Sequence, residues 1–89
     1  MTVKEKNRMT IDEQVRDYVA RNFLFSDNGY PLPDDASLTE QGILDSTGVL
    51  ELVMFLGETF GITIEHKEIV AENFDSVSRL GVYIRQKTA

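Results

Sequence analysis

Three kinds of residue in this chain could do chemistry: a serine in a distinctive setting, one imidazole, and a run of acids. Ser46 stands in "QGILDSTGVLELV", residues 41 to 53, directly after Asp45 and at the foot of an apolar helical pattern. A serine nucleophile needs a base. The single histidine, His66, lies twenty residues on, behind an extended segment, and Leu44 occupies the first glycine position of a G-x-S-x-G elbow. A triad is therefore disfavoured, and His66 is expected in a loop or at the surface. "SDNGYPLPDD" has the composition of a calcium loop but not its spacing, and Pro31 and Pro33 interrupt it. No metal site is expected. The chain has no cysteine, which excludes a disulfide framework and leaves it without a thiol of its own.

Two readings of Ser46 remain. It could cap the helix that follows. Asp45 could cap equally well, however, so the pair is redundant if capping is its whole purpose. A helix N-terminus also presents free N–H groups and a positive dipole, so a phosphate esterified to Ser46 would be tolerated there.

The elements that must position this serine are helical. "TIDEQVRDYVARNFLF" opens with Thr10 as N-cap and Glu13 three residues later, a capping-box pattern, and Ile11, Val15, Tyr18, Val19 and Asn22 share one face. "SDNGYPLPDDASLTEQGI" has no helical period and reads as a long ordered loop, anchored by Leu32, Leu38 and Ile43. The second helix begins near Asp45 or Ser46. Val49, Leu52, Val53, Leu56 and Phe60 form its apolar stripe, Leu50 and Met54 lie off it, and Gly61 stops it. "ITIEHKEIVAENF" predicts an extended piece and a weak third helix with Ile69 and Val70 inward. "DSVSRLGVYIRQK" predicts a last helix capped by Asp75 or Ser76, with Val77, Leu80 and Ile84 facing in and Arg85 and Lys87 complementing its C-terminal dipole. The expected architecture is an all-α four-helix bundle, three longer helices and one short, with a long loop between helices 1 and 2. Residues 1–9 are expected as a flexible tail and 10–87 as the domain. Phenylalanines at 23, 25, 55, 60 and 74 point to a well-filled interior.

Eighty-nine residues make one thin core and no enclosed catalytic chamber. The net charge of −6 is uneven: residues 26–75 carry −10, while the two ends are basic. That argues strongly against nucleic acid, whose phosphates demand the opposite sign, and points either to basic protein partners or to acids that simply keep a small domain soluble. The start of the chain is polar and no apolar run reaches membrane length, so a cytoplasmic monomer with no membrane partner is expected.

From "LTEQGILDST" through "GVLELVMFLGETFGITIEHKEIVAENFDSVSRLGVYIRQK" the chain resembles the acyl carrier proteins, over about residues 10 to 87. The resemblance rests on the Asp-Ser pair after "GIL", the "ELV" run, "FGI" closing that helix, and "ENFDSVSRL" before the last one. It implies a non-catalytic carrier whose Ser46 bears 4′-phosphopantetheine from coenzyme A, with Asp45 close to the reacting centre. The arm would supply the missing thiol and hold an acyl or aminoacyl group as a thioester. The implied partners are a phosphopantetheinyl transferase, a loading ligase or acyltransferase, and downstream enzymes of fatty-acid, polyketide-like or other specialised biosynthesis.

Thr47 departs from the leucine common after the modified serine. Gly48 follows it, where it either lets an arm or partner approach closely or merely loosens the first turn. Asp45 in place of the glycine of peptidyl carriers leans toward an acyl or D-alanyl type. The expected docking face is Thr47, Leu50, Glu51, Met54 and Glu58, extended by Glu65, Glu68 and Glu72. A long acyl cargo would slip between helices lined by Val49, Leu52, Val53 and Ile69, whereas a short acid or amino acid would need no cavity. The rival reading is an acidic helical adaptor that never receives the arm.

Overall fold

The computed structural model describes residues 9–89; the expected tail lies, for its first eight residues, outside them. Four helices follow in order: α1 (Ile11–Asn22), α2 (Ser46–Phe60), α3 (Ala71–Phe74) and α4 (Val77–Thr88), with a 3₁₀ turn at His66–Glu68 and no strand among the described residues. Helix α4 packs against α1, α3 and α2, so the last element of the chain is the centre of the bundle. The predicted all-α bundle of three longer helices and one short is the architecture found.

Each of the three longer helices starts where a side chain can accept from its first turn. Thr10 accepts from the Glu13 N–H while Glu13 reaches back to the Thr10 N–H, closing the predicted capping box. Ser76, not Asp75, caps α4 by accepting from the Arg79 N–H. Gly61 ends α2 with φ of 66°, a conformation open to glycine without steric cost. The core follows the apolar stripes: Val15 and Val19 from α1, Leu52 and Leu56 from α2, and Val77, Leu80 and Ile84 from α4 are fully enclosed.

Three expectations need correction. Asn22 is exposed, its amide donating to the Tyr18 carbonyl. Val70 is 42% exposed, because the third helix is a single turn that begins only after it. Phe25 does not fill the interior. The first helix stops at Asn22, the Leu24 and Ser26 N–H groups reach back to the Val19 and Ala20 carbonyls, and the chain between them turns Phe25 out to 83% exposure.

The long loop is held rather than free. Leu38 is buried in the core and its N–H donates to the Asp75 carbonyl at 2.8 Å. The Asp75 carboxylate accepts from the Ser37 hydroxyl at 2.6 Å and the Thr39 N–H at 3.0 Å. Burial opposes its charge, yet these donors and nearby Arg79 hold it below the usual carboxylate range. Arg16 pairs with Asp34, which ties the same loop to α1.

Arg85 and Lys87 bridge to other elements instead of only facing their own helix end. Arg85 pairs with Asp12 at 2.9 Å, and Lys87 pairs with Glu68 at 3.0 Å. Tyr83 donates to the same Glu68 carboxylate, and burial followed by that negative neighbour pushes its phenol up to about 12. Glu68 itself is held below its ordinary value, first by the Glu65 N–H and then by the Lys87 ammonium. A depressed carboxylate stabilises the fold above its unfolded pKa and loses that contribution as pH falls through its folded one. Glu68→Gln should therefore lower the urea midpoint near pH 7, and the gap to the parent should close as pH is taken down to about 3.

Candidate functional site

Asp45 settles the competition at the start of α2. Its backbone is extended, and its carboxylate accepts from the Gly48 N–H at 2.8 Å. The capping role is thereby filled, and Ser46 becomes the first helical residue, exposed, with its hydroxyl free of any duty at the helix end. A solvent-facing hydroxyl beside the open N–H groups and positive dipole of a helix start is chemically suited to carry a phosphate ester.

Gly48 has a packing role that neither sequence reading anticipated. It is buried, and a Cβ added there would lie 3.3 Å from the Phe23 ring, the Leu44 side chain and the Asp45 carboxylate alike. A bare Cα lets the end of α1 close on the first turn of α2 without displacing the cap. Phe23 thus packs against the residue two positions after Ser46 on α2.

Thr47, Leu50, Glu51, Met54 and Glu58 all emerge on the exposed side of α2, with Leu50 at 64% and Met54 at 63% exposure. The structure brings these five together. Glu65 and Glu72 are exposed on the following segment, Glu65 lying 3.6 Å from Lys67. Glu68 does not join them as a free acid, because Lys87, Tyr83 and the Glu65 N–H already hold its carboxylate.

Sequence reasoning missed the contribution of α1 to this face. Tyr18 stacks on Phe55 with centroids 3.9 Å apart and donates to the Glu51 carbonyl. Together with Asn22, Glu51, Met54 and Glu58 this pair lines an open groove of about 340 Å³ between α1 and α2. Burial first, then Glu51 and Glu58, raise the Tyr18 phenol above its ordinary value. The inward stripe of α1 did point to Tyr18, but nothing in the sequence shows that its hydroxyl end would reach the rim.

On the other side of α2 lies a cavity of about 160 Å³, lined by Leu44, Val49, Ile69, Val70, Ala71 and Phe74 with Thr39 and Asp75. Val49 and Ile69 were expected there. Leu52 is buried in the core instead, and Val53 does not line the cavity. Among the described residues no group of His, Cys, Asp or Glu is arranged to hold a metal ion, and no helix is long and apolar enough to cross a membrane.

No family model matches the chain. It is 31% identical over 55 residues, 62% of its own length and 70% of the relative's, to the D-alanyl carrier protein of Abiotrophia defectiva. This chain belongs to the carrier-protein family. The acidic helical adaptor and the loaded carrier would both be members of that family, and modification of Ser46 is what distinguishes them.

In this carrier the two residues at the helix start have separable effects on stability. Asp45→Ala should cost about 1 kcal/mol by removing the cap, and Asp45→Asn should restore most of it. Ser46→Ala should change stability by only a few tenths of that. Urea denaturation of the three variants checks the order; a Ser46→Ala loss as large as that of Asp45→Ala would mean that the serine is the cap.

Proposed function

We propose that this carrier holds a small aminoacyl or acyl group on a 4′-phosphopantetheine arm esterified to Ser46, and presents it to partner enzymes without catalysing a reaction itself. The supporting observation is the division of labour at the head of α2. Asp45 caps the helix, and Ser46 is left exposed as its first residue. When attached, the arm supplies the thiol on which a carboxylic acid is carried as a thioester. The chain's own residues hold the start of the arm: the positive end of α2 faces its phosphate. Asp45, fixed by the Gly48 N–H, keeps a carboxylate beside the hydroxyl during modification.

The first reading of the cargo is an amino acid. The name of the Abiotrophia relative, a D-alanyl carrier protein, supports it. Cavity size also favours a small group: about 160 Å³ matches the roughly 150 Å³ of an engineered cavity that accepts benzene, which is too little for a long fatty chain. A short aliphatic acid is the second reading, favoured by the apolar lining. Asp75 and Thr39 are the cavity's polar lining, and the Asp75 carboxylate already accepts from the Ser37 hydroxyl and the Thr39 N–H.

Recognition falls to the exposed side of α2. Thr47, Leu50 and Met54 offer apolar contact beside Glu51 and Glu58, a surface for enzymes with basic rims. Glu65 and Glu72 extend it along the next segment. The partners are a phosphopantetheinyl transferase and a loading ligase.

Incubation with coenzyme A, magnesium and a purified broad-specificity transferase should add one phosphopantetheine mass to the wild type and none to Ser46→Ala. The modified protein should then gain a further mass from D-alanine, ATP and a D-alanine–carrier ligase. Loading by a short-chain acyl ligase but not by that enzyme would select the second reading; no first mass gain would overturn both.

A further inference from the structure

The exposed Phe25 ring combines two unfavourable features that packing does not explain. It is 83% exposed, the most exposed large hydrophobic side chain among the described residues. Its φ of 53° is also the one positive value at a non-glycine position among them. A side chain there crowds its own backbone, and glycine or asparagine is the residue ordinarily found at such a helix end. Backbone strain at an exposed aromatic is an outlier from which a functional role can be argued.

The ring is held out by structured chain on both sides. Before it, the Leu24 N–H reaches the Val19 carbonyl. After it, the Ser26 N–H bonds the Ala20 carbonyl at 2.8 Å, and the Ser26 hydroxyl donates to the Gly29 carbonyl and accepts from the Asn28 N–H. Two residues earlier, the Phe23 ring closes on Gly48. The turn bearing Phe25 is thus anchored to the first turn of α2, at the end of the bundle that carries Ser46. A pre-set aromatic loses little conformational freedom on binding, which is what makes such side chains effective anchors.

We propose that Phe25 is a docking anchor for the phosphopantetheinyl transferase, inserting into an apolar socket of that enzyme with a basic rim. This rests on Ser46 being the attachment site. Charge selects the occupant. From Asn22 to His66 the chain holds eight acids and no lysine or arginine, so the span that contains both Phe25 and Ser46 favours a basic protein surface over the same span of a second copy.

The test uses the whole protein, a purified broad-specificity transferase and coenzyme A, with Phe25→Gly and Phe25→Asn beside the wild type. Both variants relieve the backbone, so each should melt roughly 2–5 °C higher. At the same time KM for the carrier should rise about tenfold with kcat little changed, the loss expected of one aromatic anchor. Higher stability with poorer recognition is a pair of effects that a structural ring cannot produce. An unchanged KM, or melting below the wild type, overturns the anchor while leaving the tether intact. Wild-type dimerisation that Phe25→Gly abolishes reassigns the ring to self-association and also overturns it. Absence of modification on the wild type removes the tether itself, and the anchor with it.

Discussion

The hydrogen bond from the Gly48 N–H to the Asp45 carboxylate is the constraint on which the rest of the molecule depends. A helix start leaves N–H groups without partners, and something must accept from them. Had Ser46 filled that need, its hydroxyl would be turned back into the helix and withdrawn from chemistry. Because the preceding aspartate does so, the serine sits on the first turn with its oxygen facing water. The same bond fixes a negative group beside that oxygen and leaves the remaining dipole to favour an anionic substituent.

Much of the fold is arranged to hold that helix start still. The loop leading into α2 is long, but Leu38 is sunk in the core and the Asp75 carboxylate gathers Ser37 and Thr39 to the junction before α4. From the opposite side the end of α1 closes in through Phe23, whose ring would lie 3.3 Å from a Cβ at Gly48. The head of α2 is therefore bounded on two sides and open on the others. Its exposed flank carries acids and flexible apolar side chains, a combination that suits several partners in turn rather than one permanent complex.

The helices were legible because local chemistry decides them. The capping box at Thr10, the stripe through Val49, Leu52 and Leu56, and Gly61 as a stop each act within one or two turns, and each appears as read. What could not be read was decided across the fold. Gly48 looked like a weakness in a helix until α1 closed on it. Glu68 looked like one more surface acid until Lys87 and Tyr83, from a distant helix, took its carboxylate. Phe25 counted as core on composition, since nothing local announces a positive φ at phenylalanine. Leu52 and Val53 were placed on the cavity by helical period alone, but the facing segment approaches only the Val49 side.

The outer wall of that cavity, from the 3₁₀ turn through α3, makes its backbone hydrogen bonds almost entirely within itself. It is fastened to α4 by side chains: Glu68 to Lys87 and Tyr83, and Arg79 to the Ala71 carbonyl. With the Phe74 ring sunk in the core beneath these ties, the cavity wall is fixed to the most central helix of the bundle.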